Sequence, residues 1–123
     1  MTIKSNFGAY AEALAEKFLL DRGYEIKDRN FRKPWGEIDI IARKDKVWVF
    51  VEVKASSVFL AGFEPEARAN REKLLKVIRT AKTYLSQKGI GLDDAWQVDI
   101  ISISFNKLTK TANIKHFKNV IGE

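Results

Sequence analysis

Two alternating runs constrain this chain more than anything else in it. They are Gly36-Glu37-Ile38-Asp39-Ile40-Ile41 and Val49-Phe50-Val51-Glu52-Val53-Lys54, separated by the polar break Arg43-Lys44-Asp45-Lys46. β-Branched residues at alternate positions on both sides of a short charged break predict a β-hairpin. An even register with Arg43 opposite Lys46 sets Ile38, Ile40 and Ala42 against Val51, Val49 and Val47, a wholly apolar face. The other face then holds Glu37, Asp39 and Ile41 against Glu52, Phe50 and Trp48, with Lys54 on the same side. A slip of one residue would put carboxylates among the valines, so the pattern selects this pairing.

Residues two apart on facing strands sit roughly 7–8 Å from one another. Asp39 and Glu52 can therefore converge on one divalent cation, with Lys54 one pleat further along. Acidic groups beside Trp48 and Phe50, at the end of a buried strand, are costly unless a cation neutralises them. The pattern asks for a ligand.

The rest of the chain supplies the frame. Helical spacing of Phe7, Tyr10, Ala11, Leu14, Ala15 and Phe18 predicts a helix from about Asn6 to Arg22, stopped at Gly23. Tyr24 to Arg32 is expected to be extended, ending near Pro34, and Ala55 to Pro65 to be a loop carrying Val58, Phe59, Leu60 and Phe63. A second helix is expected from about Glu66 to Gln87, its inner side formed by Leu74, Val77, Ile78, Ala81, Tyr84 and Leu85, ended by Gly89 and Gly91. Trp96 to Phe105 is a β-prone run, and Asn113 to Phe117 a weaker final strand. This order predicts an α/β sandwich on a mixed sheet of four or five strands, in a single domain spanning residues 1–123.

Charge and composition narrow the partners. The 123 residues carry a formal net charge of +6, which favours a polyanion. Arg68, Arg71, Lys73, Lys76, Arg79, Lys82 and Lys88 crowd the second helix against the lone acid Glu72. A solvated helix face explains such a run by itself; beside paired carboxylates, a phosphodiester backbone becomes the natural partner. Lys73 borders the helix's inner stripe, within reach of the hairpin. The absence of cysteine excludes disulfides, thiolate catalysis and Cys-based zinc sites, and a reducing cytoplasm fits. Met1 to Asn6 lacks the layout of a signal peptide, and no span approaches the roughly 20 apolar residues of a membrane helix. No Gly-rich phosphate cradle or Ser/His/Asp arrangement is present.

Four further positions carry expectations. Glu12 lies beside the apolar stripe of the first helix and can lean into the site if that helix covers the hairpin's polar face, while Glu16 points towards solvent. His116, without ligand partners nearby, is expected at the surface, and Asp99, inside an apolar strand, needs a partner. Trp35, Trp48 and Trp96 are expected in core or rim packing.

Asp39 followed by Glu52-Val53-Lys54 resembles the active-site pattern of the PD-(D/E)xK nuclease superfamily, which has the restriction-endonuclease-like fold, a three-layer sandwich. The likeness narrows to the small YraN-like family of candidate endonucleases. It is carried by Gly8 to Leu19, Arg22 to Ile26, Asn30-Phe31-Arg32, Gly36 to Arg43, Val49 to Lys54, Pro65-Glu66, Lys73, Ala81, Tyr84-Leu85 and Val98 to Ile101. The chain departs from it at Ala11, where a glycine is usual, and at Ala55-Ser56, where Thr-Arg is common.

The resemblance implies that Asp39 and Glu52 hold metal and that Lys54 orients water and steadies phosphate charge. Glu12 would match the helix glutamate of related archaeal Holliday-junction resolvases. The expected cofactor is Mg²⁺, or Mn²⁺, held by Asp39, Glu52 and the Val53 carbonyl; Glu12, with Glu37, would act through water. The expected partner is nucleic acid, DNA before RNA, with no membrane, and a homodimer would suit cutting of two strands. Two other readings stay open: a non-catalytic nucleic-acid-binding module, and an interaction protein that docks through its Val58-Phe59-Leu60 loop.

Overall fold

Every second residue of Val47 to Val53 is apolar towards one layer, and Trp48 and Phe50 face the other, so this strand must be covered on both sides. The computed structural model, which describes residues 6–58, 71–91 and 93–122, covers it with one helix on each face. The elements run α1 (Asn6–Asp21), β1 (Glu25–Lys33), β2 (Gly36–Lys44), β3 (Val47–Val58), α2 (Arg71–Gln87), β4 (Trp96–Asn106) and β5 (Thr111–Phe117). They build a five-stranded mixed sheet in the order β1-β2-β3-β4-β5. Among the described strands only β3 and β4 pair in parallel, and α2 lies in the connection between them. This is the α/β three-layer, restriction-endonuclease-like sandwich expected from the sequence. No helix among the described residues is long and apolar enough to cross a membrane.

Each helix is seated by apolar residues at helical spacing, alanines among them. Ala11, Ala15 and Leu19 of α1 are buried against Ile40, Ala42, Val49, Val51, Ile101 and Ile103. Val77, Ala81, Tyr84 and Leu85 of α2 pack on Ile38, Ile41, Trp48, Phe50 and Val98. Ile78, expected inside, instead lines an outer groove of α2 with Leu75 and Arg79. Gly23, at φ 88°, ends α1, and Gly89, at φ 71°, follows α2.

The hairpin differs from expectation in register. Lys44 pairs with Val47, so the turn is only Asp45-Lys46, both left-handed (φ 52° and 66°) as a tight hairpin turn requires. Pairing is thus displaced by two residues from the expected one, an even shift that preserves the faces. One residue escapes that rule. Ile38 packs on the α2 side although Ile40 packs on the α1 side. Between the Arg29–Ile40 and Phe31–Ile38 pairs, Asn30 adopts φ 51°, and Asp39 sits at the same break in the ladder. The local twist there turns Ile38 over.

β3 also runs further than expected. Ala55 to Val58 continue the parallel ladder, Ser56 with Ser104 and Ser57 with Phe105, rather than opening a loop. Of that expected loop, residues 59–65 lie outside the described residues, as do residues 66–70 of the expected second helix.

The approach of α2 to the sheet depends on Gly36. A Cβ there would lie 2.6 Å from Thr80 Oγ1 and 3.3 Å from the Lys76 carbonyl oxygen. Thr80 is wholly buried, its hydroxyl donating to that same carbonyl at 2.7 Å. Gly36→Ala should therefore cost about 1–3 kcal/mol of stability as the helix is pushed away. Thr80→Ala in the same chain should restore part of it, both read from urea unfolding.

Candidate functional site

Beyond the Ile40–Val51 pair, no further main-chain pairing joins β2 to β3, and a side chain takes over. Asp39 Oδ2 accepts the Val53 N–H at 2.8 Å. Held in the seam of the sheet, Asp39 borders two cavities. One, of about 460 Å³ on the α2 side, is lined by Glu37, Glu52, Val53, Lys73 and Lys76 among others. The second, of about 250 Å³ on the α1 side, is lined by Glu12, Glu16, Arg29 and Asn30.

The structure therefore brings Asp39 and Glu52 together, as the hairpin pattern required, and brings Glu12 to Asp39 by another route than expected. α1 covers the apolar face of the hairpin, and it is α2 that covers the Glu52 face. Glu12 meets Asp39 only because Asp39 lies at the boundary of the layers; Glu12 and Glu52 line different cavities. Lys54, half-buried and in register with Ser102, is the next residue after Glu52 on that face of β3. It makes no ion pair among the described residues. Among the same residues, no three acidic or histidine side chains form a group that could hold a metal unaided.

Cations partner the acids of this region. Lys73 Nζ lies 2.5 Å from Glu52 Oε1, and Arg32 Nε lies 3.2 Å from Glu37 Oε1. Glu16, expected in solvent, is instead clamped by the Arg29 guanidinium through two of its nitrogens. That hydrogen bonding holds the Glu16 carboxyl below the ordinary glutamate range, against the opposing effect of its partial burial. On α2, Arg79 stacks 4.0 Å above the centre of the Trp35 ring, and Lys76 faces Glu72 at 3.9 Å. Arg71 and Lys82 are exposed, and Lys88, also exposed, lies 5.6 Å from the Tyr84 ring. Arg68 falls outside the described residues.

His116 is not at the surface. Its side chain is 7 % exposed, and its Nε2 lies 2.7 Å from Oδ2 of the fully buried Asp99. Asp99 Oδ1 also accepts from the Gln97 side chain and the Asn119 N–H. The partner that Asp99 demanded is thus the residue a lone-histidine argument assigned to solvent. Burial, followed by the Asp99 charge, raises the neighbouring Tyr24 phenol above its usual range, which keeps it neutral.

Comparison with known proteins gives the family. The profile of "Uncharacterised protein family UPF0102" matches residues 11–103. The chain belongs to the UPF0102 family. This is the YraN family that the hairpin and its flanks resemble. A UPF0102 protein of Campylobacter hominis is 43 % identical over 108 residues, 88 % of this chain and 92 % of its own. One from Wolinella succinogenes is 51 % identical over 83 residues, covering 68 % and 73 %. One from Clostridium botulinum (strain 657) is 36 % identical over 114 residues, covering 93 % and 92 %. The matched span in this UPF0102 chain takes in Glu12, Asp39, Glu52, Lys54 and Lys73, but not His116.

The Glu16–Arg29 pair makes a pH prediction. A carboxyl whose folded pKa is depressed stabilises the fold fully above its unfolded value, about 4.5, and that gain is lost as pH falls through the folded value. Glu16→Gln should therefore melt below the parent at pH 7. The gap between their melting temperatures should close as pH is lowered from about 5 towards 3.

Proposed function

We propose that this chain hydrolyses phosphodiester bonds of nucleic acid, DNA before RNA, using Mg²⁺ or Mn²⁺. The observation that carries the reading is the shared cavity of Asp39 and Glu52, with the basic face of α2 at its rim and Lys54 next on β3. Two carboxylates and the Val53 carbonyl form an oxygen-only donor set that leaves places for water and phosphate, which suits Mg²⁺. Glu52, with its side chain 11 % exposed, is an acid that needs a cation beside it, and that supports the fit. Bound there, the ion would lower the pKa of a water and offset charge on the phosphorus oxygens.

The protein's own groups do the rest. Asp39, tied to Val53 N–H, is held at the border of the site. Lys54 supplies a positive hydrogen-bond donor for the attacking water or a non-bridging phosphate oxygen. Glu12 and Glu37, which line the cavities on either side of Asp39, would act through water. Arg71, Lys76, Arg79 and Lys82, joined by Arg68, take backbone phosphates without regard to sequence. A homodimer would place two such sites on two strands.

A panel of linear, flapped and four-way-junction substrates with Mg²⁺ or Mn²⁺ tests the reading. Asp39→Ala, Glu52→Gln and Lys54→Ala should each reduce cleavage by at least about a hundredfold while the chain stays folded. Cleavage undiminished in Asp39→Ala would place the activity in another protein. In a separate measurement, Arg79→Ala and Lys82→Ala should each weaken binding to all sequences alike and lower the slope of log affinity against log salt by about 1.

One observation favours a second reading, a nucleic-acid-binding module without chemistry: the Glu52 carboxylate is engaged by Lys73. That version gives salt-sensitive affinity and no magnesium-dependent products.

A further inference from the structure

Glu52 and Lys73 are unequal partners. The Glu52 side chain is 11 % exposed and the Lys73 side chain 53 %, with 2.5 Å between Oε1 and Nζ. A carboxylate so withdrawn from water needs a positive neighbour at all times. A half-solvated ammonium on a flexible four-carbon stem can leave, because water receives it. The pair joins a fixed anion to an exchangeable cation.

The fold sets this cation where it is. Lys73, Lys76, Val77 and Thr80 lie at helical spacing on the side of α2 that meets the sheet, and Val77 and Thr80 are buried. Gly36 lets the Lys76–Thr80 turn seat directly on β2, and Lys73, one turn earlier, reaches the cavity that Asp39 and Glu52 share. Neighbouring acids have cations of their own, Arg32 at Glu37 and Arg29 at Glu16. At Glu52, by contrast, an incoming ion would meet a half-solvated ammonium.

We infer that Lys73 is the resident counter-ion of Glu52, and that a divalent cation and the Lys73 ammonium hold this carboxylate in mutually exclusive ways. Metal loading then requires Lys73 to let go. This rests on the reading of Asp39 and Glu52 as metal ligands. Lys73 is a positioning residue on this account: it keeps Glu52 aimed into the cavity until an ion replaces it.

Direct Mn²⁺ binding, measured by calorimetry and by the loss of free Mn²⁺ signal in electron paramagnetic resonance, tests the competition without any cleavage assay. Lys73→Met should bind Mn²⁺ about five- to tenfold more tightly than the parent. Lys73→Arg, which keeps the pair, should bind no more tightly. Lys76→Met removes an equal charge from the same cavity and should change affinity less than about twofold. Lys73→Gln, expected between parent and methionine variant, covers the case in which methionine impairs folding.

Suppose Asp39→Ala abolishes Mn²⁺ binding but Lys73→Met binds as the parent does, or more weakly. The competition is then overturned and the metal-site reading stands. Equal tightening by Lys76→Met would also overturn it, by reducing the effect to general charge. Absence of any Asp39-dependent Mn²⁺ binding would overturn both.

Discussion

A side chain standing in for a strand partner organises this molecule. Where the β2–β3 ladder ends, Asp39 accepts the N–H that a main-chain carbonyl would otherwise take. A buried amide left unpaired costs about as much as a lost hydrogen bond, so the carboxylate is bound into the backbone of β3 rather than resting on its surface. The same break lets the sheet open into a cavity on each side, and it turns Ile38 towards α2 while Ile40 stays with α1. An ordinary paired residue at position 39 would close that seam.

Around the seam, charge is arranged by layer. α1 contributes acids, Glu12 and Glu16, with Arg29 of β1 holding the second of them. α2 contributes cations, and it lies on the side where Glu37 and Glu52 open. Apolar contact fixes both helices, through Ala11, Ala15 and Leu19 on one face and Val77, Ala81 and Leu85 on the other. The charged residues are therefore carried to their places by packing that does not involve them. Tight backbone approach, at Gly36 above all, converts that packing into side-chain position.

Much of this was legible in the sequence, and the exceptions have physical causes. Periodicity marks α1, α2 and β4 because their buried faces are long and regular. The convergence of Asp39 and Glu52 is legible because acids inside an apolar hairpin conflict with burial. The register departs from the expected one by two because Arg43 to Lys46 are all charged and no glycine marks the turn. Tertiary contact decides it: Lys44 donates to the Arg22 carbonyl at 2.7 Å and lies over Tyr24, which keeps it in the strand. Ala55 to Val58 read as loop because two serines follow the alanine, yet pairing with β4 overrides that preference. The inversion of Ile38 depends on the left-handed Asn30 of another strand. His116 lies in a strand whose alternation is faint, and only the need of Asp99 for a partner hinted at it.

The turn at Asp45-Lys46 has an effect at the opposite end of its strands. Surface loops usually tolerate gain or loss of residues. Here the loop acts as a ruler for the hairpin. If the two-residue turn is kept, one residue added beside it would invert every side chain of a strand relative to its neighbour, and two would slide the strands by about 7 Å. Either change would carry the carboxylate at 39 away from the amide at 53, so a remote, solvent-facing bend sets whether that side chain meets its partner.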